Sequence, residues 1–403
     1  MHAPRRLWPA LLSGLILLGL AVAAQLASAT YGAVAPPPPP VRREGLHAAD
    51  RGRLRIVEGI PVLRLDGTPR EIGRQHGRIL RGQIRYLYKE YFEAMLVKVV
   101  GRRNLEEWAT SVEPYFPAEM REEMEGLAEG AGLSYRDILL FNTMTDRLQA
   151  LFCSTVVAAG DATRNGEVFF GRNLDFPGRN LLQKTTVVIV YRPAGGTALA
   201  AVTWPGLIGV LSGMNARGVA GATMLIHRGR GIRPGLPYML MYRAALARAR
   251  RTHDVYDFIA KSKRTTANNF MVVDATGTAE LLEFDPEVVV RRKAERGTLC
   301  STNFFKSEEL ADRCFPVGRS RYDSLDRFLD REAGNIDLDS VVGALRDVAR
   351  PWYLNVQSMV FLPKRQAIYL SVGGKLPAAR QRFVMLDRRL LFGRDPAPPR
   401  STK

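Results

Sequence analysis

At 403 residues the chain is long enough for one large α/β domain with additions or for two or three average domains, and it can bury a full core without disulfides or metals. Hydrophobic residues at 46% and charged residues at 24% exclude a wholly disordered, collagenous or polytopic membrane protein. The net charge of +18 comes from scattered arginine, which speaks against nucleic acid as a partner and leaves an anionic membrane surface as the alternative to compositional bias.

Arg5 and Arg6 precede an apolar run from Trp8 to Ala24, and Ala27-Ser28-Ala29 supplies small residues at signal-peptidase spacing. Residues 1–29 therefore read as a signal peptide that sends the protein to the periplasm or outside the cell. Because Leu7 to Pro40 carries no charge, a retained membrane anchor is the alternative. The linker, 30–54, contains five consecutive prolines at 36–40 and reads as a stiff polyproline spacer.

The segment 55–152 reads as helical from Pro69 onward. Thr68-Pro69 is an N-cap and first-turn pair, and Ile72, Leu80, Ile84, Leu87, Tyr91 and Leu96 recur at helical spacing. Further helices are predicted over Ala118 to Gly130 and from Ser134. The period changes at Cys153. Ser154 to Ala159 turns at Arg164-Asn165-Gly166 into Val168 to Gly171, and three more hairpin-like units follow over 185–204, 208–226 and 270–284. One long helix is predicted from Pro237 to about Lys261, shorter ones over Ser320 to Asp330 and Leu338 to Val348, and a last hairpin over Val356 to Val372. Helices set apart from antiparallel strands indicate an α+β layered sandwich for the 153–394 core, followed by a biased tail at 395–403. The sequence contains no nucleotide-binding, metal-ligating or redox motif, so neither cofactor nor metal is expected.

Three cysteines, Cys153, Cys300 and Cys314, leave at least one thiol unpaired within the chain. A separation of 14 residues suits a short disulfide loop between Cys300 and Cys314, with two independent buried thiols as the alternative. His2, His47, His76, His227 and His253 follow no local pattern that ties one of them to Cys153.

A cysteine at the junction of the helical and β halves, followed by Gly171-Arg172-Asn173-Leu174-Asp175, resembles the acyl-coenzyme A:6-aminopenicillanic acid acyltransferase family of self-cleaving N-terminal-nucleophile hydrolases. The likeness runs over about 60–392 and includes Gly67-Thr-Pro-Arg-Glu-Ile-Gly-Arg-Gln-His-Gly77, Glu125-Gly-Leu-Ala-Glu-Gly-Ala-Gly132 and Gly213-Met-Asn-Ala-Arg-Gly218. The resemblance implies a four-layer αββα sandwich and scission between Phe152 and Cys153, with the two resulting chains remaining associated. It makes Cys153 the nucleophile and its freed α-amine the general base, a workable choice because an α-amine titrates near ~7.7. It further implies that Arg172 lowers the thiol pKa, that Asp175 holds the α-amine, that Asn269 donates to the oxyanion and that Arg321 supports the cysteine. Asn268 rivals Asn269, and a surface charge is the alternative for Arg321. Thr223-Met224-Leu225 and Thr302-Asn303-Phe304 depart from the pattern of many relatives, which leaves the second oxyanion donor unassigned.

The implied activity is hydrolysis or acyl transfer on amide or thioester bonds of small N-acylated compounds, through an acyl-thioester on Cys153. Two rival readings are a Cys–His thiol protease with His227 as base, and a non-catalytic envelope-binding protein that keeps the fold.

Overall fold

Helix α1 (Pro69–Ile79) begins at a capping box in which Thr68 and Glu71 satisfy each other's backbone amides, with Pro69 in the first turn. After α2 (Arg81–Leu87) the chain continues in a π-helical stretch, Tyr88–Val97, and then forms α3 (Arg102–Val112), α4 (Ala118–Ala131) and α5 (Tyr135–Thr143). The glycines of the two front motifs have one cause. A Cβ on Gly73 would stand 1.9 Å from Glu123 O, and one on Gly126 would stand 2.1 Å from Arg70 O, so α1 and α4 cross with their backbones in contact. The computed structural model describes residues 36–41, 47, 50, 53–148, 152–227 and 231–393; the expected signal segment, most of the linker and the tail lie outside the described residues. Among the described residues no helix is long and apolar enough to cross a membrane.

The segment expected to be helical opens instead on a hairpin, β1 (Leu54–Val57) and β2 (Ile60–Gly67). A buried arginine hides the strand signal. Arg64 lies within β2, and its guanidinium donates to the carbonyls of Arg389 and Leu390 at 2.8 and 3.0 Å. β2 pairs in parallel with β5 (Val187–Pro193), which joins the front segment to the β half through backbone hydrogen bonds.

Two sheets follow. The larger has the order β1-β2-β5-β6-β7-β8-β9-β10-β11, with β6 (Leu199–Thr203), β7 (Ser212–Asn215), β8 (Ala220–Leu225), β9 (Asn268–Val273), β10 (Ala279–Phe284) and β11 (Val289–Lys293). The smaller has the order β12-β3-β4-β13-β14-β15, with β3 (Phe152–Ala158), β4 (Phe169–Asp175), β12 (Thr298–Ser301), β13 (Asn355–Leu362), β14 (Ala367–Val372) and β15 (Val384–Leu386). The hairpins stand where the turn signals put them, whereas β11, β12 and β15 are short strands without alternating patterns of their own. The architecture is mixed helix and sheet of the α+β kind.

The predicted helix over 237–261 is two helices, α6 (Tyr238–Arg248) and α7 (Thr252–Lys261). Side-chain caps explain the break. Asn215 Nδ2 donates to the carbonyls of Leu246 and Ala249, both at 2.8 Å, while Asp254 accepts from the amides of Arg250 and Arg251. The asparagine of the Gly213–Gly218 motif is thus a helix stop.

Helices α6 and α7 pack on β7 to β10, and α8 (Arg319–Arg331) and α9 (Leu338–Asp347) pack on the smaller sheet. Alternation divides the smaller sheet's side chains. Val156, Ala158 and Phe169 join Leu325, Phe328, Val341 and Leu345 under α8 and α9, while Cys153, Val157, Phe170 and Leu174 enter the main core. β3 lies against β8, and β12 against β10.

Two further expectations are corrected. The described part of the proline run lies on the body: Gln83 Nε2 donates to Pro39 O at 3.1 Å, and the Tyr86 hydroxyl donates to Pro36 O at 2.5 Å. Proline offers a carbonyl but no N–H, so α2 supplies the donors and the run does not stand off as a spacer. Cys300 and Cys314 are free thiols, not a disulfide. The Cys300 thiol faces α8, with Asp326 at 3.9 Å, whereas Cys314 Sγ accepts from the amide of Phe305 at 3.1 Å.

Candidate active site

β3 runs between β4 and β12, with a register that sets Thr155 opposite Arg172, Cys153 opposite Leu174 and Phe152 opposite Asp175. Side chains alternate along strands, so Cys153 and Arg172 share the face that looks toward the larger sheet. Arg172 crosses the gap: its Nε donates to Ser212 Oγ of β7 at 2.9 Å and its Nη1 to the carbonyl of Asn173 at 3.2 Å. Its Nη2 is buried without a hydrogen-bond partner among the described residues.

β12 stops pairing at Ser301, opposite Thr155, and side chains replace the ladder at Cys153. The Cys153 amide donates to Asn303 Oδ1 at 2.7 Å, and Arg321 Nη1 donates to the Cys153 carbonyl at 2.8 Å. Arg321 Nη2 completes a triangle with Asn303 Oδ1 at 3.0 Å, and Asn303 Nδ2 is anchored on the carbonyl of Leu225 at 2.8 Å. Arg321 reaches inward from the first turn of α8 past Gly318, whose φ of +88° suits glycine and where a Cβ would stand 2.6 Å from Arg321 Nη2. Its expected alternative, a surface charge, is excluded: Arg321 is buried, which lowers its pKa, while the Asp175 carboxylate acts to raise it.

Asp175 is fully buried. It accepts from Asn355 Nδ2 at 2.7 Å, and its Oδ2 lies 3.7 Å from Arg321 Nη1. Burial pushes its carboxyl up to about 6 against the pull of Arg321, the Asn355 hydrogen bond, Arg350 and Arg172. Burial likewise raises the Cys153 thiol; Arg172 opposes this and the Asp175 charge adds to it. With the Arg172 guanidinium opposing the effect of burial, a nearby base can convert the thiol to thiolate, because a fixed positive charge is already in place.

The structure therefore brings Cys153, Arg172, Asp175 and Arg321 together, while the Asn269 amide nitrogen bonds elsewhere. Asn269 Nδ2 is spent on the turn after β12, donating to Ser301 Oγ at 3.0 Å, Thr302 O at 3.2 Å and Phe304 O at 2.8 Å. In this geometry it does not provide the expected oxyanion donor. Asn268 belongs to the opposite face of β9, where its Oδ1 accepts from Thr223 Oγ1 at 3.2 Å.

Phe152, the residue before Cys153, is half-buried. Its ring stacks on the His227 imidazole with centroids 5.0 Å apart and planes at 24°, and the Arg350 guanidinium carbon lies 5.2 Å from its centroid. Sequence reasoning missed Asn303 and Arg350 as members of this group, and it named His227 only as the base of a rival reading. Asn303 alone left a local signal, as the polar residue of Thr302-Asn303-Phe304 immediately after a strand. Among the described residues no cluster of three or more His, Cys, Asp or Glu is placed to hold a metal.

A two-sheet α+β body with a cysteine at the head of a strand, its amide and carbonyl both held by side chains, defines the class. The family model for acyl-coenzyme A:6-aminopenicillanic acid acyl-transferase matches residues 162–361. The 40 kDa form of acyl-coenzyme A:6-aminopenicillanic-acid-acyltransferase from Emericella nidulans is 30% identical over 253 residues, covering 59% of this chain and 67% of that protein. The chain belongs to the acyl-coenzyme A:6-aminopenicillanic acid acyl-transferase family. An uncharacterized protein from Archaeoglobus fulgidus is 27% identical over 255 residues, 55% of this chain. The chain spans about half the length of the curated relatives it matches, 42% of the archaeal protein and 51% of protein dcd1B from Dictyostelium discoideum. The solved Caenorhabditis elegans N-acylethanolamine-hydrolyzing acid amidase ortholog aligns with a TM-score of 0.43 at 19% identity, over 53% of this chain and 93% of that one.

Proposed function

We propose that the protein is an exported, self-cleaving cysteine hydrolase or acyltransferase that acts on amide or thioester bonds of small N-acylated compounds. In this reading the body is a four-layer αββα sandwich, with α8 and α9 outside one sheet and α6 and α7 outside the other. The observation that carries the reading is the Asn303–Arg321 pair, which holds the backbone of Cys153 by side chains where a strand neighbour would ordinarily do so.

In the precursor, Cys153 Sγ adds to the Phe152 carbonyl carbon. A C–S bond forms, the C–N bond breaks, and the departing nitrogen takes the thiol proton and becomes an α-amine. Water then adds to the thioester, which releases the Phe152 carboxylate and restores the thiol. The new α-amine remains within reach of Asn303 Oδ1, which orients its lone pair toward the thiol. In turnover it takes the thiol proton as Sγ attacks the substrate carbonyl, and it returns the proton to the leaving amine. Arg172 stabilises the thiolate, while Asp175 balances the three guanidinium groups. The oxyanion falls to backbone amides or to Arg172 Nη2, whose donor is free of other partners among the described residues.

The test is a mass measurement of the Cys153-bearing chain during turnover of a panel of N-acyl amides. A transient mass equal to the acyl group on wild type, absent from Cys153→Ala, supports the reading. A thiol that takes up neither acyl group nor alkylating probe supports the non-catalytic alternative.

A further inference from the structure

We propose that His227 and Arg350 are positioning residues for self-cleavage, forming an aromatic clamp that grips the Phe152 side chain and sets the scissile carbonyl against Cys153 Sγ. This rests on the self-cleavage reading above and extends it to residues that no motif assigned.

The scissile bond joins two unequally held residues. Cys153 is fully buried and fastened at both its amide and its carbonyl, whereas Phe152 is the half-buried first residue of β3, opposite Asp175. For the acyl shift, the Phe152 carbonyl carbon must be presented to Sγ at near-attack distance, and a small displacement there costs rate steeply. Backbone pairing on one side leaves the carbonyl free to rock about the strand axis. A second fixed point, off that axis, removes the freedom.

The ring is that point. His227 lies two residues beyond the end of β8, on the larger sheet, and Arg350 lies in the connection between α9 and β13, on the smaller one. Each presents a flat group to the Phe152 ring, the imidazole at 5.0 Å and the guanidinium at 5.2 Å. The arginine is well placed for this role, because its Nε is buried with no hydrogen-bond partner among the described residues and the guanidinium faces the π-system of Phe152. Both sheets thus hold the residue that is to be cut, through a side chain that leaves with the front chain's new terminus.

The experiment is pulse-chase synthesis of the full chain in a cell-free system, following the first-order loss of the uncut species. Phe152→Ala removes the ring, and we expect its rate to fall about tenfold or more; Arg350→Met and His227→Leu should each slow the rate about three- to tenfold. Phe152→Tyr and His227→Phe keep the stacked surfaces and should cut within about twofold of wild type, a rescue that separates positioning from any proton-transfer role for His227. Melting temperatures of the same variants in the Cys153→Ala background should stay within a few degrees of that parent. Cutting of Phe152→Ala and Arg350→Met at the wild-type rate overturns the clamp alone. A wild-type chain that stays uncut overturns the clamp together with the self-cleavage reading.

Discussion

Asn303→Asp isolates what the amide at the head of β3 does. In the present structure one side chain serves three partners: Oδ1 accepts from the Cys153 nitrogen at 2.7 Å and from Arg321 at 3.0 Å, and Nδ2 donates to Leu225 O at 2.8 Å. Aspartate keeps the first two contacts in shape, loses the third, and places a negative charge beside the atom proposed to be the general base. An opposite charge at this range raises an amine pKa by about one to three units, which is about 1.4 to 4 kcal/mol of preference for the protonated form. Partial neutralisation by Arg321 favours the lower end. Starting from an α-amine near ~7.7, the acid limb of kcat/KM should move up by about one unit or more, with activity at pH 7 falling about tenfold and returning at higher pH. The loss of one buried donor costs stability only about 1–3 kcal/mol. The assay is kcat/KM against pH on an N-acyl amide, with melting temperature as the control for folding. An acid limb that stays in place while activity falls at every pH would refute the assignment of the α-amine as base.

Four other outcomes follow from the same geometry. Asp146 is fully buried, hydrogen-bonded to Thr265 and to the Tyr238 amide, and burial pushes its carboxyl up to about 7. Its folded pKa exceeds the unfolded one, so its contribution is complete below about pH 4 and is lost as pH rises through 7; urea titrations of Asp146→Asn should show a pH dependence flatter by a few kcal/mol, leaving the smaller share of Asp175. Arg243→Met strands the buried Glu123 carboxylate, which ties α4 to α6, and should cost about 3–5 kcal/mol by urea unfolding, much of it recovered when Glu123→Gln is added. Arg172→Lys keeps the charge but not the fork that spans Ser212 and Asn173, so kcat/KM should fall about 10- to 100-fold in a chain that still folds, at a stability cost of about 1–3 kcal/mol by urea unfolding. Asp175→Asn should both lower turnover and displace its pH profile; parallel loss of stability and rate without displacement would make the carboxylate merely structural.

What the sequence revealed, and what it concealed, divides along lines of locality. The hairpin from β3 to β4 was legible because its turn signal and alternation are local, and with it came the register that seats Cys153 beside Arg172. β2 escaped because Arg64, a buried arginine solvated by carbonyls of the far C-terminal turn, breaks the apolar run. The break between α6 and α7 escaped because one of its caps, Asn215, is more than thirty residues distant. At the site, the change of period singled out Cys153, while the resemblance supplied the expected roles of Cys153, Arg172 and Asp175. Arg321 was placed there by resemblance, and the choice between site and surface needed the inward turn at Gly318. Asn269 and Asn303 illustrate the limit: both are asparagines at strand ends, and only the meeting of β12 with β3 decides that Asn303 reaches the Cys153 amide while Asn269 is absorbed by the turn.

If self-cleavage makes Cys153 a chain terminus, intact mass measured on the purified, denatured protein will show it. Two masses are expected, the larger belonging to residues 153–403 with cysteine at its amino end, and a single uncut chain for Cys153→Ala. A single uncut wild-type chain that still turns over an N-acyl amide would contradict it, because the base would then have to be some group other than the α-amine of Cys153.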